Sequence, residues 1–222
     1  SWLQIPNIEN IFLQVEDADA EASEAAAVAK AQTDRAQMTS LAHASLDVLP
    51  PSGSMVDWVV ETQAGVVGAP EEIGPEAKGA AFGVFGALLD MSAGPAVAEG
   101  LSAESGGSIA RGLASLIAAP VAGEEELTDT AAGAVGVLEQ VGAQWLAGLS
   151  AGEAAAEVAT PALSIKVMKA GDLSNLGEVA AASEGGKPAA AARFPPSLSD
   201  ELGEETGAVA LKLSTTKVDP FQ

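Results

Sequence analysis

The sequence has no cysteine, no tyrosine, a single histidine and only 4% aromatic residues. Without cysteine there is neither a disulfide framework nor a Cys-ligated zinc or iron–sulfur site. His43, in Leu41-Ala42-His43-Ala44-Ser45, has no second His or Cys to join it and reads as an ordinary helix residue rather than a metal ligand. Basic residues are scarce: ten Lys and Arg stand against 31 Asp and Glu, a net charge of −21. Such a field repels phosphate backbones and anionic lipid surfaces, so no nucleic-acid partner is expected. Long apolar runs are missing too. The longest, Gly79 to Leu89, is too short to cross a bilayer, so no direct membrane insertion is expected within this chain. No Asn-x-Ser/Thr sequon occurs at Asn7, Asn10 or Asn175.

What is present is abundant small apolar residues. The hydrophobic fraction is 48% and the mean hydropathy +0.24, well above the range of a disordered acidic tail. A chain of 222 residues can bury a core in one or two domains. Much of the apolar content is Ala and Val. Ala suits helix interiors because it loses no side-chain entropy there. Small side chains bury little area each, so a core made from them depends on close backbone approach.

The pattern along the chain predicts a helical part and then a β-rich part. Ser1 to Val15 is read as an extended arm, residues 1–16, whose Trp2, Ile5, Ile8, Ile11 and Phe12 need a partner surface and are the candidate interaction residues. Residues 17–161 form the expected helical subdomain. A long helix runs from Asp17 to Val48, with Asp17 or Asp19 at its start and Met38, Leu41, Ser45 and Val48 at helical spacing. Pro50 and Pro51 stop it. A second helix spans Met55 to Val67 and a third runs from Pro75 to about Ser92. Gly79, Gly83 and Gly86 in the third suggest either a closely packed neighbour or a compositional bias. Two shorter helices are expected near Ala96–Leu101 and Ser108–Ala118, and a last long one from Glu124 to Leu149. There Thr128, Val135, Leu138, Val141, Trp145 and Leu149 define one face. Trp58 and Trp145 read as core anchors.

After Thr160-Pro161 the period changes from helical to alternating. Ala162 to Lys169 and Ala208 to Ser214 alternate apolar and polar residues as half-buried strands do. Leu173 to Pro188 reads as a polar loop, and Ala192 to Pro196 as a short edge strand limited by its prolines. Charge shifts at the same place: before Pro161 only Lys30, Arg35, Lys78 and Arg111 are basic, and the rest of the ten follow it. The expected fold class is therefore α+β, a mostly α-helical N-terminal part followed by a few antiparallel β-strands of an incomplete sheet. Residues 162–222 form the β-rich tail, completed by other polypeptide.

No catalytic constellation is found. There is no Gly-x-Ser-x-Gly elbow, no Gly-Lys-Ser/Thr phosphate loop and no G-x-G-x-x-G after a strand. Asp17-Ala18-Asp19-Ala20-Glu21 lacks the turn glycine of a calcium loop and suits a helix N-terminus, as do Glu124-Glu125-Glu126 and Asp129. No catalytic residue, metal ligand or cofactor is expected.

The order of elements carries a resemblance. A helical segment leads into the strand Ala162–Lys169, then Phe194-Pro195-Pro196-Ser197-Leu198, then Val209-Ala210-Leu211-Lys212-Leu213 and Asp219-Pro220-Phe221. This resembles the GAIN region of polycystin-type, receptor-for-egg-jelly-related membrane proteins and adhesion receptors. The resemblance implies a helical subdomain bracing the opening strands of a β-sandwich, on the extracellular face of the plasma or ciliary membrane. The family's cleavage signature, His-Leu-Ser/Thr, is absent, so no autoproteolytic role falls on any residue here. On this reading the chain is a non-catalytic structural and interaction module of a large cell-surface protein. Its partners would be other protein segments or subunits, including the remainder of a larger parent chain. The alternative is a self-contained helical scaffold or assembly subunit. An enzyme of unrecognised type is a third reading, with only abundant acids behind it.

Overall fold

Ser52 and Ser102 open two of the helices by the same device. Each sits in extended backbone and its hydroxyl accepts a backbone N–H, from Met55 at 3.2 Å and from Ser105 at 3.0 Å, which satisfies a donor the helix itself leaves unpaired. The computed structural model describes residues 8–97, 100–170, 178–182, 188–193 and 209–216, with side chains described from residue 22 to residue 170 and at Leu213. Within these bounds the order is α1 (Ile8–Leu46), α2 (Gly53–Val66), a single 3-10 turn (Pro70–Glu72), α3 (Pro75–Ser92), α4 (Ala103–Ala118) and α5 (Glu124–Gly148). Five strands follow: β1 (Ala156–Ala159), β2 (Leu163–Ala170), β3 (Glu178–Ala182), β4 (Pro188–Arg193) and β5 (Val209–Thr216). The molecule is α+β, a mostly helical N-terminal part followed by antiparallel strands.

The helices end where the sequence stops supplying helix formers. Pro50-Pro51 separates α1 from α2, Gly68 and Pro70 separate α2 from α3, and Pro120 closes the stretch after α4. Pro75 occupies the first turn of α3, where its missing N–H costs nothing. The core is built from one face of each of α2 to α5. Val56, Val59 and Val60 of α2 meet Val84, Phe85, Leu88 and Leu89 of α3, Ile109, Leu113 and Leu116 of α4, and Leu138, Val141 and Trp145 of α5. β2 joins this core through Leu163, Ile165 and Val167, the inward side of a period-2 alternation.

β2 is the centre of a three-stranded antiparallel sheet in the order β1-β2-β5. β1 pairs with it in the register Ala159↔Ser164, and β5 in the register Leu163↔Thr216 through Ala170↔Val209. The β1–β2 turn is closed by Thr160, whose N–H donates to the Leu163 carbonyl at 2.8 Å and whose Oγ1 accepts the Leu163 N–H at 3.0 Å. β3 and β4 form a separate antiparallel hairpin, Glu178↔Arg193 to Ala182↔Pro188, which lies beside the three-stranded sheet.

Several elements differ from the sequence expectations. Residues 8–16 are helix rather than arm, because nothing between Pro6 and Pro50 breaks the helical run and Pro6 falls just before its start. No helix forms at Ala96, Val97, Gly100 and Leu101, since Pro95 interrupts the chain and Gly100 takes the left-handed φ of +67°. Instead α4 begins five residues before Ser108. β1 lies ahead of the expected boundary at Pro161, and β3 occupies part of the stretch read as a loop. Both strands are alanine-rich, and alanine alternating with itself gives no period-2 signal. β4 begins at Pro188, earlier than Ala192, and Phe194 to Pro196 lie outside the described residues.

Candidate interaction surface

The α1–α2 hairpin buries one side and exposes large apolar side chains on the other. On α1 the inward side is Ala36, Thr39 and Leu46. Met38 and Leu41 of α1, and Val48 in the turn after it, project away from that side, with 55%, 71% and 81% of their surface accessible. On α2, Met55, Val56, Val59, Val60 and Gln63 face inward, and Trp58 is 59% exposed. Trp58 is two residues from both Val56 and Val60, which places it on the opposite side of the helix. Met38 and Leu41 follow helical spacing on α1 as expected, but the helix ends at Leu46, so Val48 lies in the turn beyond it rather than on the helix. The face they define is the outer one, and Trp58 is not a core anchor. Trp145 is one, at 5% exposed.

Two long-range contacts fix how the hairpin helices sit against each other. The Gln63 Nε2 donates to Thr39 Oγ1 at 3.3 Å inside the interface. Arg35 donates through Nη1 to the Val66 carbonyl and through Nε, at 2.8 Å, and Nη2 to Glu72 Oε2. One guanidinium thus ties α1 to the end of α2 and to the 3-10 turn. Above these contacts a groove of about 530 Å³ runs between the two helices, with Met38 and Thr62 on its walls and Gly65 and Ala31 opening its floor.

The charges around this face that lack an ion-pair partner among the described residues have one sign. Asp47 and Glu61 are exposed, and among the described residues neither pairs with a Lys or Arg. Asp57 accepts hydrogen bonds from Ser102 and Ser105 and remains exposed. The two nearby cations are engaged, Lys30 with Asp34 and Arg35 with Glu72.

A second feature is an ion pair between a buried ammonium and a half-buried carboxylate. Lys78 Nζ, its side chain 3% exposed, donates to Glu126 Oε1 at 2.8 Å and to the Pro120 carbonyl at 3.0 Å. Glu126 Oε2 accepts the Ala122 N–H at 2.7 Å. The hydrogen bond from Lys78, helped by that N–H, holds the Glu126 carboxyl below the usual range against the opposing effect of burial. The pair lies in a groove of about 490 Å³ with Phe82, Glu125 and Asp129 and fastens α3 to the start of α5. A carboxylate held ionised by a bonded ammonium is a weak proton acceptor, so the arrangement suits fastening better than general-base chemistry. Among the described residues no group of three or more His, Asp or Glu converges to hold a metal ion, and no helix is long and apolar enough to cross a membrane.

Of the residues expected to form an interaction surface, Ile8, Ile11 and Phe12 lie in the first turns of α1, with their side chains outside the described residues. Trp2 and Ile5 lie outside them altogether. His43 is an exposed helix residue. The face formed by Met38, Leu41, Val48 and Trp58 was open to sequence reasoning only in part. The i, i+3 spacing of Met38 and Leu41 is visible, but a helical stripe does not say whether it faces a core or solvent. Comparison with protein-family models, curated proteins and solved structures returned no match, so the fold and this surface carry the functional reading.

Proposed function

We propose that the chain is a non-catalytic interaction module of a large polycystin-like cell-surface protein, and that the outer face of the α1–α2 hairpin is its docking surface. The observation that carries the docking surface is the exposure of four large apolar side chains, Met38, Leu41, Val48 and Trp58, along one hairpin, none of them in the core formed by the described residues. Exposed apolar side chains gathered on one element mark interaction sites. Trp is also among the residues most often carrying binding energy at interfaces. The cell-surface part of the proposal rests on the resemblance described above. What supports it is the order of a helical part followed by antiparallel strands in two adjacent sheets, with β1 and β5 as edges of the first.

The test is site-specific photo-crosslinking in cells that make the protein, with the reactive group at Leu41 or Trp58 and, as controls, at the exposed Asp90 and Glu139. A discrete adduct from the hairpin positions and none from the controls is expected. Equal adduct patterns from all four positions, or no adduct from the hairpin, would overturn the docking surface. Surface biotinylation of the same cells tests the location: a protein shielded from a membrane-impermeant reagent would overturn the cell-surface reading.

A further inference from the structure

Resting on the reading of this face as a docking surface, we infer that its occupant is a basic amphipathic helix. The shape argues for a helix. Met38 and Leu41 are one turn apart on α1, Val48 lies in the turn that follows the helix, and the groove lined by Met38 runs between two helices that pair Thr39 with Gln63 and Arg35 with the Val66 carbonyl. A ridge and groove with one-turn spacing accept apolar anchors at i, i+3, i+4 and i+7 of an incoming helix. An extended strand would instead need an edge of unpaired backbone groups, which the side-chain-covered surface of a helical hairpin does not present.

Charge argues for a basic one. Asp47 precedes Val48 in the chain and Glu61 lies one turn beyond Trp58 on α2, both exposed, while Lys30 and Arg35 are already paired with Asp34 and Glu72. A helix carrying Lys or Arg beside its apolar stripe would place them against these carboxylates. The same charges disfavour the other occupants. A second copy of this chain would bring two molecules of net charge −21 face to face across the same acidic rim. An anionic lipid surface or a phosphorylated segment meets the same repulsion.

The inference is tested by calorimetric titration of the full chain with synthetic amphipathic peptides of leucine and lysine, apolar at helical spacing. Companion peptides have every lysine replaced by glutamine or by glutamate. The lysine peptide is expected to bind at least about tenfold more tightly than the glutamine one and to weaken with added salt, and the glutamate peptide is expected not to bind. The emission of Trp58 should shift to the blue as the peptide covers it. Leu41→Gln/Trp58→Gln, which leaves the net charge unchanged, should lose binding at least about tenfold. Asp47→Asn/Glu61→Gln should lose part of it with the apolar face intact. Unchanged binding to the Leu41→Gln/Trp58→Gln chain would mean that the peptide sits elsewhere on the acidic surface, and the inference falls. Equal affinity for the glutamine and lysine peptides would overturn the basic partner and leave the docking surface standing. No peptide binding alongside a specific crosslink from Leu41 or Trp58 would also overturn this inference alone, whereas loss of both would overturn the docking surface with it.

Discussion

The Trp145 indole fills the space that a side chain at Gly106 would need. A Cβ at position 106 would fall 2.7 Å from Nε1 of the indole and closer still to its six-membered ring. Gly106 on α4 is therefore the residue that lets α5 lay its largest core side chain directly on the backbone of a neighbouring helix. Phe85 of α3 uses Gly112 of α4 in the same way, at 2.7 Å from the place of a Cβ, and Phe82 uses Gly133 of α5. Glycines on α4 and α5 thus receive three aromatic rings, those of Phe82, Phe85 and Trp145.

Gly106→Ala should lower stability, because neither a buried indole nor a helix backbone yields easily. Overpacking of this kind costs about 1–3 kcal/mol, reduced by the helix preference of alanine. Gly83→Ala on α3 should do the reverse. No described atom beyond its own stretch of helix lies within 4 Å of its missing Cβ, and the gain in helix propensity is up to about 1 kcal/mol. Urea unfolding of the two variants checks the opposite signs. Among the described residues outside α3's own backbone, nothing lies within 4 Å of a Cβ at Gly79, Gly83 or Gly86, so close packing does not explain the α3 glycines.

The two described tryptophans should behave as differently as their surroundings. Trp145→Ala empties a buried site beneath α4 and should cost about 3–5 kcal/mol. Trp58→Ala removes a side chain that is mostly in water and should change stability by no more than about 0.5 kcal/mol. Comparable losses at both positions in urea unfolding would contradict the exposure of Trp58, and with it the docking face.

These tryptophans also mark how far the sequence could be read. Helix positions set by proline and by an acidic first turn were legible: α2, α3 and α5 lie within two residues of expectation because Pro50-Pro51, Pro75 and the Glu124-Glu125-Glu126 start are local signals. β2 and β5 were legible because Leu163–Ala170 and Val209–Thr216 alternate with large side chains. β1 and β3 were not, since Ala156–Ala159 and Glu178–Ala182 gain their structure from pairing with β2 and β4. The outer face of the hairpin was the hardest part. Met38, Leu41 and Val48 look like core positions in an isolated helix, and only the packing of Ala36, Thr39 and Leu46 shows which side is buried. The Lys78–Glu126 pair left no trace, because the partners are far apart in sequence and neither lies in a motif.

Breaking that pair on one side should be costly. Glu126→Ala leaves a buried ammonium hydrogen-bonded to the Pro120 carbonyl but without its counter-charge and should destabilise the chain by about 3 kcal/mol. The double variant Lys78→Met/Glu126→Leu removes both charges and should recover most of that loss, since paired apolar residues avoid the desolvation of two ions. A double variant no more stable than Glu126→Ala would show that the pair contributes more than mutual neutralisation.

The pair also gives stability a dependence on acid with a definite sign. Glu126 titrates below its ordinary value in the folded chain, first because of the Lys78 hydrogen bond and then the Ala122 N–H. A carboxyl with a depressed folded value binds its proton more readily when unfolded. Its contribution is fully present above the unfolded value and is lost as pH falls through the folded one. Many other carboxylates titrate in the same window, and relief of their mutual repulsion acts in the opposite direction. The informative quantity is therefore the stability of the natural chain minus that of Glu126→Gln, followed by urea unfolding from neutral pH to about pH 3. This difference should be flat near neutrality, then shrink as pH drops below the ordinary glutamate value. A difference that stays constant across the acid range would mean that the Lys78–Glu126 hydrogen bond does not select the ionised carboxylate.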